Sequence, residues 1–181
     1  EFSTHQGADI TEAHWDFFHH CYTLTYQAHH STPYLTRDFF RHMARTMPEH
    51  WLMFVASRGG TPIATSLIGI DADRRAAWGR YWGATTFVPC LHFEACYYQP
   101  LQWCLARGYE RFEGGAQGEH KMARGLMPVG TRSAHWVADD RFARAIADAL
   151  TQEREGIGQY VDELREHSPF KNDEGHLPVA C

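Results

Sequence analysis

The stretch that most narrows the fold is Trp51-Leu52-Met53-Phe54-Val55-Ala56, six apolar residues in succession, closed by Ser57-Arg58-Gly59-Gly60. A run this short and apolar, ending in a glycine pair, predicts a strand buried on both faces with a hairpin turn after it. Residues 63–70 supply the returning strand. Asp71-Ala72-Asp73-Arg74-Arg75 turns the chain again into Ala76-Ala77-Trp78-Gly79-Arg80-Tyr81-Trp82-Gly83. Strict alternation there sets Trp78, Arg80 and Trp82 on one side and Tyr81 on the other. Strands buried on both faces need helices on both sides of the sheet.

The flanking sequence provides them. Asp9 and Glu12 have capping-box spacing, and Trp15, Phe18, Tyr22, Thr25 and Tyr26 then recur at helical spacing to about Ala28. Thr36 can cap a second helix in which Phe39, Phe40, Met43 and Met47 share a face, and Pro48 stops it. A third helix, over residues 93–107, lays Phe93, Cys96, Tyr97, Leu101, Cys104 and Leu105 along one stripe and Glu94, Tyr98 and Gln102 along another. Pro100 inside it removes a hydrogen bond and crowds the Cys96 carbonyl, at a cost of about 3 kcal/mol, so a kink is expected.

Residues 109–112 read as a short strand, and residues 126–129 and 131–138 as an alternating strand or hairpin. Asp139-Asp140 caps a last helix that Gly156 and Gly158 interrupt. The expected class is α+β, a mixed, mostly antiparallel sheet flanked by helices. At 181 residues the chain can bury one core, read as a single domain over 1–167 with a loosely held tail over 168–181.

A net charge of −5 argues against a dedicated nucleic-acid binder, and no run approaches the roughly 18 apolar residues of a membrane span. The 13 histidines show no His-Glu-x-x-His and no Cys-x-x-Cys partner, so no metal site is expected. Five cysteines without framework spacing read as free thiols of a reducing cytoplasm. The aromatic surplus, 14% of residues, is compatible with a homodimer interface.

Chemistry concentrates in residues 112–125, Phe-Glu-Gly-Gly-Ala-Gln-Gly-Glu-His-Lys-Met-Ala-Arg-Gly. Four glycines free the backbone for tight turns and close ligand approach. Gln117, Glu119, His120, Lys121 and Arg124 set an amide, an acid, an imidazole and two cations side by side. Such a loop can hold an anionic group on Lys121 and Arg124 while His120 moves a proton near neutral pH. It can equally be a solvated glycine loop; neither the G-x-G-x-x-G fingerprint nor a Gly-Lys-Ser/Thr phosphate loop is present. Glu94 and Tyr98, one turn apart, can point together into a cleft or line a solvent face. Ser133, His135 and Trp136 lie on the alternating segment, as pocket wall or as exposed face.

Four ordered blocks carry a resemblance: Gly79-Arg80-Tyr81-Trp82-Gly83, then His92-Phe93-Glu94-Ala95-Cys96-Tyr97-Tyr98-Gln99, then residues 112–125, then Ser133-Ala134-His135-Trp136. They resemble the signature blocks of the bacterial FemAB-like, or peptidoglycan biosynthesis/recognition, family of predicted N-acyltransferases related to the GNAT superfamily. The resemblance spans roughly residues 10–155 and implies a GNAT-like fold and acyl or aminoacyl transfer to an amine. It also implies a carboxyl-terminal half, since members of the family typically carry two GNAT-like halves, and so an amino-terminal half of the same protein as a partner.

N-acyl transfer needs a deprotonated amine, donors for the oxyanion and a proton for the leaving group, and on that chemistry His120 or Glu94 is the expected base and Tyr98 the acid or positioner. Arg80, Lys121 and Arg124 bind anionic parts of a small-molecule or peptide substrate, with Gln117, Glu119, Ser133, His135 and Trp136 lining the pocket. One junction departs from the wider superfamily: where GNAT enzymes carry Arg/Gln-x-x-Gly-x-Gly/Ala for the coenzyme A pyrophosphate, this chain reads Gly83-Ala84-Thr85-Thr86-Phe87-Val88-Pro89. Acyl-CoA is therefore a candidate donor without its usual loop. The competing expectation is a non-catalytic module of the same fold that binds a cell-wall precursor, a peptide or a partner chain.

Overall fold

The computed structural model describes residues 1–115, 119–166 and 168–170, which fall into two compact units, Glu1–Gln117 and Gly118–Cys181. The first unit is built on a five-stranded sheet of order β1-β2-β3-β4-β5: β1 (Phe2–Gln6), β2 (Trp51–Arg58), β3 (Thr61–Asp71), β4 (Ala76–Ala84) and β5 (Arg111–Glu113). β1 to β4 are antiparallel, and β5 lies parallel to β4, pairing Ala76 with Arg111 through Trp78 with Glu113. At the β2–β3 hairpin Gly59 and Gly60 have φ of +56° and +79°, the mirror-image turn whose twist matches paired strands. β1 has a single apolar residue, Phe2, and is held by the free edge of β2, from Phe2 against Ala56 to Gln6 against Leu52.

Alternation along β2 and β3 feeds two cores. Trp51, Met53, Val55 and Leu67 face Trp15, Phe18, Tyr22, Phe40 and Met43 of α1 (Glu12–Ala28) and α2 (Arg37–Thr46). Phe18 meets Phe40 edge-on, ring centroids 4.9 Å apart. On the other face Leu52, Phe54, Ile68, Ile70 and Ala77 cover Trp103 and Cys104. Each large apolar side chain so buried contributes about 1.5–3 kcal/mol.

α1 starts two residues later than the expected Asp9–Glu12 box. Thr11 is the cap: its Oγ1 accepts the His14 N–H at 3.4 Å, and His14 Nδ1 accepts the Thr11 N–H at 3.1 Å. A histidine thus fills the place usually taken by glutamate in a capping box. Thr36 caps α2 as expected, accepting from the Phe39 N–H at 3.2 Å, and Arg37 reaches back to Glu12 and Asp16 at 2.6 and 2.7 Å.

The third helical segment is α3 (Leu91–Phe93), a π-turn at Glu94–Tyr98, and α4 (Gln99–Ala106). The disturbance expected at Pro100 takes the form of that π-turn, so that Pro100 opens α4 where a missing N–H costs little. The short strand expected at 109–112 is β5.

In the second unit a 3₁₀ turn, Glu119–Arg124, leads to residues 125–138, which form no regular element, and then to α5 (Asp140–Glu166). Two expectations are corrected here. The alternating stretch 131–138 is not a strand: it pairs with no strand among the described residues and residues 131–136 are exposed. Gly156 and Gly158 do not interrupt α5, which runs for 27 residues; each glycine costs only about 1 kcal/mol against a long series of helix formers. Of the expected tail, Ser168–Phe170 lies within the described residues and 171–181 outside them.

Candidate functional site

β4 is irregular where it matters most. Leu67 pairs with Tyr81 but Ile68 with Gly79, so Arg80 is an extra residue in a β-bulge. The slip overturns the strict alternation expected for this strand. Tyr81 joins the α1–α2 face against Phe18 and Tyr22, with ring centroids 6.3 and 5.2 Å away. Trp82 turns to the other face and meets the His92 ring at 5.3 Å. Arg80 stays beside Trp78, its Cγ 3.8 Å from where a Cβ on Gly69 would stand. Bulges commonly re-aim a side chain in this way.

Around Arg80 the α1–α2 face opens into a depression of about 430 Å³ lined by Met47, His50, Trp51, Gly69, Ile70, Asp71, Trp78 and Arg80. Trp51, Gly69 and Trp78 pair in one row across three strands. The glycine leaves the space between the two indoles free of a side chain. His50 Nδ1 donates to the Ile70 carbonyl at 3.0 Å, and Asp71 accepts the Arg74 N–H at 3.0 Å. Arg111 stands over Trp78, 5.8 Å from the ring centre.

On its other side Arg80 meets tyrosines, with its guanidinium 5.7 Å from the Tyr81 ring centre. The Tyr34 and Tyr81 hydroxyls are 3.3 Å apart, and Tyr26 packs edge-on to Tyr34 at 5.7 Å. Hydrogen bonds from Tyr81 and Tyr26, and then the Arg80 charge, hold the Tyr34 phenol below the ordinary tyrosine range. Burial, followed by the hydrogen bond with Tyr34, pushes Tyr81 up to about 12. Tyr34 is therefore the most acidic phenol of the group and the strongest donor toward an incoming anion. No carboxylate among the described residues pairs with Arg80.

Of the residues singled out in the sequence, Arg80, Glu94 and Tyr98 belong to the first unit. The segment carrying Glu94 and Tyr98 packs on the opposite sheet face from Arg80, where Ser66 Oγ donates to the Ala95 carbonyl at 2.6 Å. Glu94 Oε1 accepts from Gln99 Nε2 at 2.7 Å, five residues on, as the π-turn dictates, and Tyr98 is half exposed. Lys121 and Arg124 stand on the 3₁₀ turn of the second unit, and partial burial lowers the Lys121 pKa. His135 Nε2 and Ser133 Oγ are 3.1 Å apart, and Trp136 is 87% exposed. Gln117 and the side chains of Glu119 and His120 lie outside the described residues.

Sequence reasoning missed Tyr34, Tyr81, Trp51, Trp78 and Gly69 as site residues. Tyr34 sits in a loop and Gly69 inside a strand, and only the bulge brings Arg80 to both. Among the described residues no group of three or more His, Cys, Asp or Glu could hold a metal ion, and no helix is long and apolar enough to cross a membrane. Burial raises the Cys21 and Cys104 thiols to about 12 and about 11, which makes them poor nucleophiles.

The geometry has relatives. A "possible acetyltransferase" from Clostridium difficile 630 superposes with a TM-score of 0.50 at 8% identity, over 77% of this chain and 97% of that one. Two aminoglycoside acetyltransferases each reach 0.49 over 77% of this chain and 95% of theirs: meta-AAC0020 from an uncultured soil metagenomic sample, solved with sisomicin (9% identity), and AAC(6')-Iy, solved with CoA (11% identity). At these identities the likeness is one of fold, the α+β GNAT fold expected from the sequence. No curated protein matches the chain in sequence. The FemAB-like family profile, described as peptidoglycan biosynthesis/recognition, matches residues 1–172, and the chain belongs to that family.

Proposed function

We propose that the protein is an N-acyltransferase that moves an acyl or aminoacyl group onto an amine. Membership of the FemAB-like family over residues 1–172 carries this reading, and the GNAT fold is in keeping with it. Amide formation needs a deprotonated amine held close to the donor carbonyl, donors for the developing oxyanion, and a proton for the leaving group. In this proposal Glu94 or His120 is the candidate base and Tyr98 the candidate acid or positioner; Arg80, on the other sheet face from Glu94 and Tyr98, and Lys121 and Arg124 of the second unit are each candidates to hold an anionic part of donor or acceptor. Gln117, Glu119, Ser133, His135 and Trp136 contribute to the substrate pocket.

Acyl-CoA is the first donor to test and aminoacyl esters the second. Calorimetric titration with coenzyme A and acetyl-CoA, repeated on Lys121→Ala, is expected to give saturable binding weakened by the substitution. With a donor in hand, His120→Ala should lower turnover by about a hundredfold or more while the protein still melts cooperatively. Full activity in that variant removes His120 from the mechanism. A folded protein that acylates no amine from either donor class sinks the reading.

A further inference from the structure

The Arg80 depression has a polarity that the acyltransferase reading leaves unused. At one end is the Arg80 guanidinium, with the Tyr34 and Tyr81 hydroxyls 3.3 Å from each other next to it. At the other end is Asp71, whose side chain is 24% exposed and whose neighbour Arg74 stands 3.6 Å off and is itself 75% exposed. Between them lie Trp51, Trp78 and Met47, with no side chain on Gly69. Asp71 sits opposite Ala76 and Ile68 opposite Gly79. Along β3 the Asp71 backbone therefore lies three residues from the level of Gly79, the residue before Arg80, roughly 10 Å at about 3.3 Å per residue.

Opposite charges at the two ends of an apolar, aromatic trough select a ligand with the same three parts. A phosphate or pyrophosphate would find one guanidinium at the Arg80 end and, at the other, a carboxylate already shared with Arg74 and no further cation for its second charge. A neutral amine would leave Arg80 and the acidic Tyr34 hydroxyl unused. We propose that this trough binds a zwitterionic aminocarboxylate, a small molecule of amino-acid type with an aromatic or branched side chain. Its carboxylate lies on Arg80 and the Tyr34 hydroxyl, its side chain against Trp51 and Trp78, and its ammonium toward Asp71. The ligand's ammonium would share the Asp71 carboxylate with Arg74, 3.6 Å away and 75% exposed, while His50 is occupied by the Ile70 carbonyl and by Glu49, 3.5 Å away, and Arg111 lies over Trp78. The proposal rests on the acyltransferase reading only in making this ligand the amine acceptor; the binding itself is independent of it.

The test compares phenylalanine with its two halves, phenethylamine and 3-phenylpropionate, by titration calorimetry on the whole chain. Phenylalanine should bind, and each half should bind about tenfold more weakly or worse, one charge contact being lost in each case. Arg80→Gln should weaken phenylalanine about tenfold and Tyr34→Phe about fivefold, and both positions are exposed enough to leave folding intact. Gly69→Leu should abolish binding by filling the trough.

A second readout is the tyrosinate absorbance of the free protein. One phenol should ionise below the ordinary tyrosine range, vanish in Tyr34→Phe, and move upward when phenylalanine is bound. Absence of saturable phenylalanine binding, equal binding of phenethylamine, or an unchanged affinity in Arg80→Gln each overturns the proposal. Phenylalanine binding without acylation from any donor would sink the acyltransferase reading alone. Absence of phenylalanine binding in a chain that acylates other amines would sink this proposal alone.

Discussion

Gly69 and Gly83 lie on the same sheet face, on neighbouring strands, and do opposite things. At Gly83 the face is closed: a Cβ there would stand 2.3 Å from the Cys21 carbonyl oxygen, because α1 rests on the strand backbone. Thr25 fixes that contact by donating to the Trp82 carbonyl at 3.0 Å. At Gly69 a Cβ would meet nothing closer than 3.8 Å, and the missing side chain opens a trough instead. One residue type thus serves close packing at one end of the face and ligand space at the other. Neighbours, and not the glycine, decide which.

The same substitution at both sites should separate them. Gly83→Ala forces α1 off β4 or strains the backbone, and a loss of about 3 kcal/mol or more is expected in denaturant titration; a loss below about 1 kcal/mol would mean the closed end yields easily. Holding α1 and α2 over that end depends on their starts. Thr36→Ala removes the α2 cap and should cost about 1 kcal/mol, with Thr36→Ser recovering most of it.

Acid should loosen the same end from the other helix. His5 packs on His14 at 3.8 Å between ring centres, and burial, then the His14 charge, lowers the His5 pKa, Asp9 opposing. The unfolded chain therefore takes up the proton at a higher pH than the folded one. Stability should be complete above the ordinary histidine range and fall as pH drops through the depressed value. His5→Asn should flatten the fall in melting temperature between pH 7 and 5; an equally steep fall in the variant would place the effect elsewhere. Gly69→Ala is the smallest change expected, within about 0.5 kcal/mol of zero or slightly stabilising, since a strand glycine gives up entropy and nothing blocks the methyl group. A large loss there would erase the contrast between the two ends.

What could be read beforehand follows from where the determinants sit. β2, β3, α1 and α2 were legible because burial writes a local pattern: an unbroken apolar run for a strand covered twice, a stripe for a helix covered once. β1 was not, since its reason for existing is the edge of β2 and not its own side chains. The alternation of residues 131–138 looked equally good, yet a strand needs a partner as well as a pattern.

At the site, Arg80 stood out by its charge among aromatics, but Tyr34 is 46 residues away along the chain and no periodicity links them. The slip that brings Arg80 to both Gly69 and Tyr34 is fixed by the pairing of Leu67 with Tyr81 and of Ile68 with Gly79, a long-range property. The family was legible because its four blocks are ordered motifs rather than patterns.

The bulge in β4 and the π-turn before α4 amount to the same event, one residue too many for the repeat that contains it. Each resets the phase of everything downstream: Trp82 changes sides of the sheet, and Trp103 and Cys104 come round to face it. Shortening the chain by one residue should therefore act differently at the two places. Removing Arg80 would leave Gly79 against Ile68 and Tyr81 against Leu67 as consecutive pairs of a regular ladder, erasing the bulge and its cation while the pairings stay, whereas losing one residue from 94–98 would rotate α4 by about 100°. At these positions the protein's specificity is written in the number of residues as much as in their kind.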